Sequence, residues 1–269
     1  MSSNSVSVAK EITQLGRPFL PYSTSKRKAK LPESVYNKLF GSLINENLPE
    51  GSNVSLIGPP GAGKTVFCEN LANSFLRNGV SCLYITLDNS PDDVRRDFQK
   101  FGTDLFGKKY EKKLAFVDCF SWLTGESREG HHIDDLGNLT ELSIRISSAA
   151  NDLAKPLVLV FDSVSPLTVY NPEIVVIKFL QIVLARMKDW KGMGIYVVQK
   201  GVHSEEFYNT LAYLVDGIFD MKISEKNGKL MRQFRIRSLK SMAHETKWIS
   251  FDIQPDRSLK LKHTRRKRK

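Results

Sequence analysis

The segment GPPGAGKT, residues 58–65, combines residue types that can hold the phosphates of a nucleotide. It fits the pattern G-x-x-x-x-G-K-[ST] at every position and lies between a short apolar run and an amphipathic one. Its glycines let backbone N–H groups face phosphate oxygens, its lysine reaches the β- and γ-phosphates, and its threonine hydroxyl reaches Mg²⁺. A complete match in this context speaks against a merely structural turn. We therefore predict a loop that binds ATP and Mg²⁺ (the P-loop), built from Gly58, Pro59, Pro60, Gly61, Ala62, Gly63, Lys64, Thr65 and Val66.

Two further polar residues end apolar runs and could complete this site. Asp162 ends LVLVFD, where an acid beside the P-loop strand can hold magnesium through its water shell. Alternatively, Asp162 caps the turn that continues into Ser163. Gln199 ends GIYVVQ and could sense the γ-phosphate, or it could be an ordinary strand-end amide. The sequence favours the metal role for Asp162 and leaves both interpretations of Gln199 open.

Hydrolysis of ATP also needs a group that orients or deprotonates the attacking water. Asp88 follows the apolar run CLYITL and is the acid best placed for that task. It also precedes Ser90-Pro91, which opens a predicted helix, so it could equally share the helix cap with Ser90. A catalytic base and a cap are both compatible with the sequence.

Other potential metal ligands occur without the spacing of a metal site. His131 and His132 are adjacent and point apart in the polar segment 121–135, so we expect a solvated loop although Asp134 and Asp135 lie close by. Three scattered cysteines have apolar neighbours and are expected to be buried free thiols: Cys68, Cys82 and Cys119. The metal that the sequence predicts is the Mg²⁺ at the P-loop.

Short apolar runs alternate with longer amphipathic ones and predict the elements that position these residues. The alternation is typical of an α/β fold with a mostly parallel sheet covered by helices on both faces. After about residue 213, four strand-like runs joined by tight turns, the first at Asn227-Gly228, predict antiparallel strands at one edge. The predicted parallel strands are 54–58, 82–87, 114–119, 156–163 and 194–199, and predicted helices begin near residues 63, 91, 137, 172 and 204.

Length and composition indicate one sizeable globular domain. The chain has 269 residues, of which 41% are hydrophobic and 26% charged. It has neither an apolar stretch of the roughly 18–20 residues that a bilayer span requires nor the apolar core of a secretory signal. We expect a cytoplasmic protein without membrane insertion.

The net charge of +11 is concentrated near the two ends of the chain. Four basic residues lie in 23–30 and seven in 258–269, and neither segment contains an acid. These eleven residues account for the whole excess, so the remainder is electrically balanced and is not a broadly basic nucleic-acid-binding surface. We predict a basic, flexible N-terminal segment (1–30), an ATP-binding domain (31–258) and a basic C-terminal tail (259–269), with DNA or RNA contact through the tails left open.

Five segments read in order, GPPGAGKT, FDSVSPL, VVQKGVH, LVDGIFDMKI and RSLKSMAH, carry a family resemblance. Together they resemble the KaiC-like branch of the RecA-superfamily ATPases, which includes RadA-like proteins, over about residues 31–261. Single-domain members of that branch are largely archaeal. The resemblance implies a RecA-like P-loop core, ATP bound between neighbouring subunits, and a homo-oligomeric ring or filament that is often hexameric.

The chain departs from the family pattern at two places. Where KaiC-like domains usually carry paired glutamates, it has Asp88-Asn89, so we expect slow or absent turnover. Where the family has a Lys-x-Arg pair that reaches a neighbour's γ-phosphate, it has Ser238 and Lys240, preceded by Arg237. The sequence offers no further arginine or lysine close to the P-loop. Arg237 and Lys240 are therefore the candidates for a contact made in trans.

Three functional hypotheses follow from these residues. The first is an ATP-binding protein with weak ATPase activity whose nucleotide state controls its assembly. The second is a RadA-like recombinase paralogue that binds DNA through its basic tails. The third is a non-hydrolysing regulatory subunit that acts with a protein partner in a larger machine, such as the archaeal flagellar motor. The tails favour the second hypothesis, and the altered carboxylate pair favours the third.

Overall fold

The computed structural model of the protein describes residues 48–125, 129–240 and 242–262. The predicted N-terminal segment and the terminal run 263–269 lie outside these residues. The strands are β1 (Ser52–Gly58), β2 (Ser81–Thr86), β3 (Leu114–Asp118), β4 (Leu157–Asp162), β5 (Met193–Gln199), β6 (Gly217–Lys226), β7 (Lys229–Leu239), β8 (Ile249–Ile253) and β9 (Leu259–Lys262). The helices are α1 (Lys64–Arg77), α2 (Pro91–Lys100), α3 (Leu139–Asn151), α4 (Leu167–Tyr170), α5 (Glu173–Trp190) and α6 (Glu205–Leu214).

All nine strands form a single sheet in the order β3-β2-β4-β5-β1-β6-β7-β8-β9. Strands β1 to β6 run parallel, and β7, β8 and β9 continue the sheet in antiparallel fashion. Strands β1, β2 and β4 are buried along their whole length, as expected for parallel strands covered on both faces. The predicted α/β fold class, with antiparallel strands at the C-terminal edge, is confirmed.

The two faces of the sheet bury separate apolar layers. Successive strand residues point to opposite faces, so Val160 packs with Phe67 and Phe75 of α1, whereas Phe161 packs with Phe179 of α5. Helices α1 and α2 cover the first face, and α3, α5 and α6 cover the second. This sandwich holds the carboxyl ends of the parallel strands at fixed spacing.

The antiparallel strands pack against α1 through aromatic residues. The ring centroids of Phe67 and Phe234 lie 5.4 Å apart, and those of Phe234 and Phe251 lie 6.3 Å apart. The turn predicted at Asn227-Gly228 connects β6 to β7, with φ values of 55° and 67° that suit this dipeptide. Strand β9 pairs with β8, so the folded part extends four residues into the segment that the sequence assigned to the C-terminal tail.

Several local features differ from the sequence-based expectations. The segment 121–135 includes a turn of 3₁₀ helix, Ser121–Leu123, and a β-bridge between Asp118 and His132. The one-turn helix α4 follows β4 without a periodic signal in the sequence. Of the helices in the described part of the chain, none is both long and apolar enough to cross a bilayer.

Candidate functional site

The P-loop lies at the carboxyl end of β1 and leads directly into α1. Gly61 and Gly63 have φ values of 72° and 93°, in the left-handed region that glycine adopts at little cost. Gly58 is required for a different reason, because a Cβ there would lie 2.8 Å from Cβ of Met221 on β6. The glycines of the motif thus allow both the turn of the loop and the close approach of two strands.

The Lys64 side chain folds back over the P-loop. Its Nζ donates hydrogen bonds to the carbonyl oxygens of Gly58 (2.9 Å) and Pro59 (3.0 Å) and to Oε1 of Gln199 (2.9 Å). Burial lowers the pKa of Lys64, while the carboxylates of Asp162 and Asp88 act in the opposite direction. The ammonium group therefore lies inside the cradle, where phosphate oxygens can replace the carbonyls as acceptors.

The Gln199 side chain faces the same cradle. Because Lys64 can only donate, Oε1 of Gln199 is the atom that faces it. The amide Nε2 is buried and has no hydrogen-bond partner among the described residues. A buried donor without a partner is costly, and a phosphate oxygen beside Lys64 would satisfy it. The position of Gln199 beside Lys64 favours the prediction that it senses the γ-phosphate.

Thr65 and Asp162 are brought together as a pair of oxygen ligands. Thr65 Oγ1 lies 3.4 Å from Asp162 Oδ1, and the hydroxyl of Tyr84 donates to Asp162 Oδ2 at 3.1 Å. Burial and the nearby Asp88 raise the pKa of Asp162 to about 6, against the opposing effects of Thr65, Tyr84 and Lys64. A hydroxyl and a carboxylate facing each other match the ligand chemistry of Mg²⁺.

Asp88 lies beside this pair and is separate from the helix cap. The N-cap of α2 is Ser90, whose hydroxyl accepts a hydrogen bond from the Asp93 N–H at 3.1 Å. The Asp88 carboxylate instead accepts one from the Ser163 hydroxyl at 3.0 Å. Asp88 is exposed to solvent. An acid with access to water therefore lies next to the candidate metal ligands.

These residues share one edge of the sheet. Strands β2, β4, β5 and β1 are consecutive in the sheet. At the carboxyl end of each strand, or just after it, lies one site residue. In that order the residues are Asp88, Asp162, Gln199 and Gly58. The sequence places them in different segments, and the parallel topology assembles them.

Arg237 and Lys240, the candidates for a trans contact, are engaged within their own chain. Arg237 forms a two-pronged ion pair with Asp220, with Nε 2.8 Å from Oδ2, and Arg235 binds the same carboxylate at 3.0 Å. Lys240 Nζ donates to the Tyr213 carbonyl oxygen at 2.6 Å. Neither contact involves the P-loop.

A second cation contacts the P-loop from a distant part of the chain. Arg232 Nε donates a hydrogen bond to the carbonyl oxygen of Gly61 at 2.9 Å. Arg232 lies on β7, where it pairs with Ile223 of β6. The turn at 227–228 is the sequence signal for this contact, because it sets the register of β7 against β6. Strand β6 in turn lies beside β1, which leads into the P-loop.

A hydrogen-bonded network behind Gln199 was also not predicted from the sequence. The Gln199 N–H donates to Ser165 Oγ at 2.8 Å, and Ser165 Oγ lies 2.7 Å from Nε2 of His203. Nδ1 of His203 is 3.4 Å from Glu173. Burial lowers the pKa of His203, and the charge of Glu173 opposes this effect. The network fixes the backbone of Gln199 at the end of β5.

The two adjacent histidines lie beside different acids. His131 Nε2 lies 2.9 Å from Asp152, and His132 lies 3.8 Å from Asp134. No group of three or more His, Cys, Asp or Glu side chains that could hold a metal is found among the described residues. The three cysteines are buried and free, as expected.

Comparison with known proteins agrees with this architecture. The family model described as "ATPase: KaiC" matches residues 36–265. The chain is 30% identical to a UPF0273 protein of Methanopyrus kandleri over 215 residues, covering 78% of this chain and 84% of the relative. It is 31% identical to a UPF0273 protein of Pyrococcus horikoshii, covering 81% and 92%.

A solved structure shares the fold. The KaiC-like protein PH0186 of Pyrococcus horikoshii superposes with a TM-score of 0.66 at 24% identity. The match covers 83% of this chain and 95% of that one.

Proposed function

The chain belongs to the KaiC family of ATPases, and from this premise we propose that it binds ATP with Mg²⁺, hydrolyses it slowly, and uses the nucleotide state to control its own assembly. The observation that supports this most strongly is the pairing of Lys64 with Gln199 in the P-loop cradle. The amide Nε2 beside that pair lacks an acceptor among the described residues. A γ-phosphate oxygen supplies the acceptor, and the lysine supplies the compensating charge.

In this proposal each site residue binds or orients a defined part of Mg·ATP. Backbone N–H groups of the P-loop and the N-terminus of α1 bind the phosphates, with Lys64 between the β- and γ-phosphates. Thr65 and Asp162 would hold Mg²⁺ through their oxygen atoms. The ion, when bound, neutralises charge that develops on the phosphate oxygens.

Slow hydrolysis depends on Asp88. Its Oδ2 is occupied by the Ser163 hydroxyl, which orients the carboxylate and leaves Oδ1 to accept a proton from the attacking water. One residue carries this role where the family usually has a pair of glutamates. A low turnover is the expected consequence.

Assembly depends on the γ-phosphate in this proposal. Arg237 or Lys240 of a neighbouring subunit approaches that phosphate after leaving its partner, Asp220 or the Tyr213 carbonyl. A ligand can shift assembly only by its difference in affinity between two states. ATP therefore favours the assembled state more than ADP does, because ADP lacks the group that attracts the incoming cation.

The test is the molar mass in solution, measured by light scattering with Mg·ATP, with Mg·ADP and without nucleotide. We expect a larger mass with Mg·ATP. The double variant Arg237→Ala, Lys240→Ala should bind ATP but stay dissociated. The matched control Arg145→Ala removes a partly exposed cation on α3 that pairs with Glu141 and should assemble normally. One mass under all three conditions in the wild type would reject nucleotide-controlled assembly, and an assembling double variant would reject these two residues.

The charge distribution favours DNA binding as a second candidate function. Five basic residues lie in 263–269, a run outside the described residues. Deletion of this run spares β9 and therefore tests the tail without disturbing the sheet. Contact through the tail predicts single-stranded DNA binding that weakens steeply with salt and is lost in the deletion variant. No binding to DNA at about 50 mM salt would reject this candidate.

A further inference from the structure

Among the arginines in the described part of the chain, Arg232 donates a hydrogen bond to the P-loop. It lies on β7 between Ile223 of β6 and Phe251 of β8. Its Nε donates to the Gly61 carbonyl oxygen at 2.9 Å. The contact joins a strand near the C-terminus to a loop that lies 171 residues earlier in the chain.

The hydrogen bond fixes the orientation of one peptide group of the P-loop. In a trans peptide the C=O and the following N–H point in opposite directions. Arg232 holds the Gly61 carbonyl on one side of this peptide group, and on the other side the Ala62 N–H donates a hydrogen bond to the Pro59 carbonyl oxygen at 3.3 Å, which a phosphate oxygen can replace as acceptor. Gly61 has a φ of 72°, a region in which glycine is otherwise free to rotate.

The antiparallel strands β6 and β8 also back the P-loop with apolar side chains. Ile223 Cδ1 lies 3.7 Å from the position of a Cβ on Gly61, and Ile253 Cδ1 lies 3.2 Å from that on Gly63. Arg232 therefore makes its hydrogen bond from a surface already in contact with the loop. The guanidinium carries five N–H donors, and the bond to Gly61 uses one of them.

Arg235, three residues along the same strand, provides the contrast. It binds Asp220 at 3.0 Å and its guanidinium carbon lies 4.6 Å from the ring centroid of Trp248. Arg232 and Arg235 thus have the same chemistry and the same strand, but only Arg232 contacts the P-loop.

We propose that Arg232 is a nucleotide-positioning residue that orients the Gly61–Ala62 peptide group toward the phosphates and adds a positive charge to the cradle from the same subunit. This inference rests on the proposed ATP binding. Because Arg232 belongs to the same chain as the P-loop, it acts in an isolated subunit, in contrast to Arg237 and Lys240. The Gly61–Ala62 peptide group binds phosphates that ATP and ADP share, so the affinity for both nucleotides depends on Arg232.

The test is the affinity for Mg·ATP and Mg·ADP, measured by calorimetry on dissociated protein for wild type, Arg232→Ala, Arg232→Lys and Arg235→Ala. Arg232→Ala should weaken both nucleotides by about tenfold, the effect of one charge-assisted hydrogen bond. Arg232→Lys keeps the charge without the Nε donor and should recover part of the loss. Arg235→Ala should bind both nucleotides like the wild type.

The remaining outcomes separate this inference from the proposed function. Wild-type affinity in a folded Arg232→Ala variant, or an equal loss in Arg235→Ala, would overturn the role of Arg232 while leaving ATP binding intact. A wild type that binds neither nucleotide would overturn ATP binding itself. If Arg232→Ala does not fold, Arg232→Lys decides, because the proposal requires it to bind both nucleotides more weakly than the wild type.

Discussion

The carboxyl edge of the parallel strands and the antiparallel end of the sheet use similar charged residues in different ways. At the edge, the amide Nε2 of Gln199 has no partner among the described residues, and Asp88 has one carboxylate oxygen bound by Ser163. At the antiparallel end, Asp220 lies between two arginines. Groups with spare hydrogen-bonding capacity can bind a ligand, whereas saturated ion pairs hold strands together. Substitutions of the polar groups at the edge should therefore change chemistry, and substitution of the Asp220 carboxylate should change stability.

The largest effect is expected at Asp88. Asp88→Asn keeps an oxygen that can accept from Ser163 but cannot accept a proton from water, so hydrolysis should fall about 100-fold or more. ATP affinity and the urea midpoint should stay near the wild-type values. Steady-state phosphate release measures the rate, with Asp134→Asn in the exposed loop as control. Turnover at the wild-type rate in Asp88→Asn would show that this acid is not the base.

The contact between the β8–β9 turn and α1 gives a pH-dependent test of the antiparallel end. Arg257 binds buried Glu69 at 2.5 Å and Asp97 at 3.0 Å. Burial nevertheless raises the pKa of Glu69 from the ordinary 4.5 to about 7, against the effect of Arg257. Between these two values the folded state binds more protons than the unfolded state. The contribution of Glu69 to the free energy of unfolding therefore falls as the pH rises from 4.5 to 7.

In the wild type, the Glu69 contribution to the free energy of unfolding should fall by on the order of 3 kcal/mol between pH 4.5 and 7. This fall should be absent in Glu69→Gln. Urea unfolding of both proteins across this pH range measures the difference between them. ATP affinity at pH 8 should be alike in the two. Parallel stability curves for wild type and variant would contradict the assignment.

A smaller effect on stability is expected at Asp220. Asp220→Asn leaves Arg235 and Arg237 side by side without their shared carboxylate and should cost about 2 kcal/mol, since both arginines are partly exposed to water. ATP affinity should not change. Asp252→Asn, which breaks an exposed pair with Lys262, is the matched control and should cost under about 0.5 kcal/mol. Equal losses in the free energy of unfolding for Asp220→Asn and Asp252→Asn would contradict the special role of the Asp220 ion pairs.

The carboxyl edge was largely predictable because its assembly follows from strand order alone. Each of Asp88, Asp162 and Gln199 comes at or just after the end of an apolar run, and the ends of parallel strands meet at one edge of the sheet. The sequence could not decide whether Asp88 caps α2, because that depends on which side chain turns toward Asp93. The structure assigns the cap to Ser90.

The antiparallel end was less predictable because its contacts depend on register. The turn at Asn227-Gly228 begins an unbroken register that places Asp220 opposite Arg235 and within reach of Arg237, and a β-bulge between Ile218 and Phe219 shifts the pairing beyond it. The contact of Arg232 with Gly61 likewise requires the register of β6 against β7. A shift of one residue would turn these side chains to the other face. The turn at 227–228 indicates the register of β6 against β7, but composition and spacing do not show the bulge or which side chains of the two strands meet.

The most direct test of the account is the affinity of Lys64→Ala for Mg·ATP, measured by calorimetry beside the wild type. Lys64 is the cation whose Nζ lies between Pro59 and Gln199, so its removal should weaken binding by roughly 100-fold or more without changing the urea midpoint. Lys222→Ala, which removes a lysine 4.1 Å from the Trp248 ring centroid, should bind like the wild type. A folded Lys64→Ala protein with wild-type affinity for Mg·ATP would contradict the assignment of the P-loop as the nucleotide site.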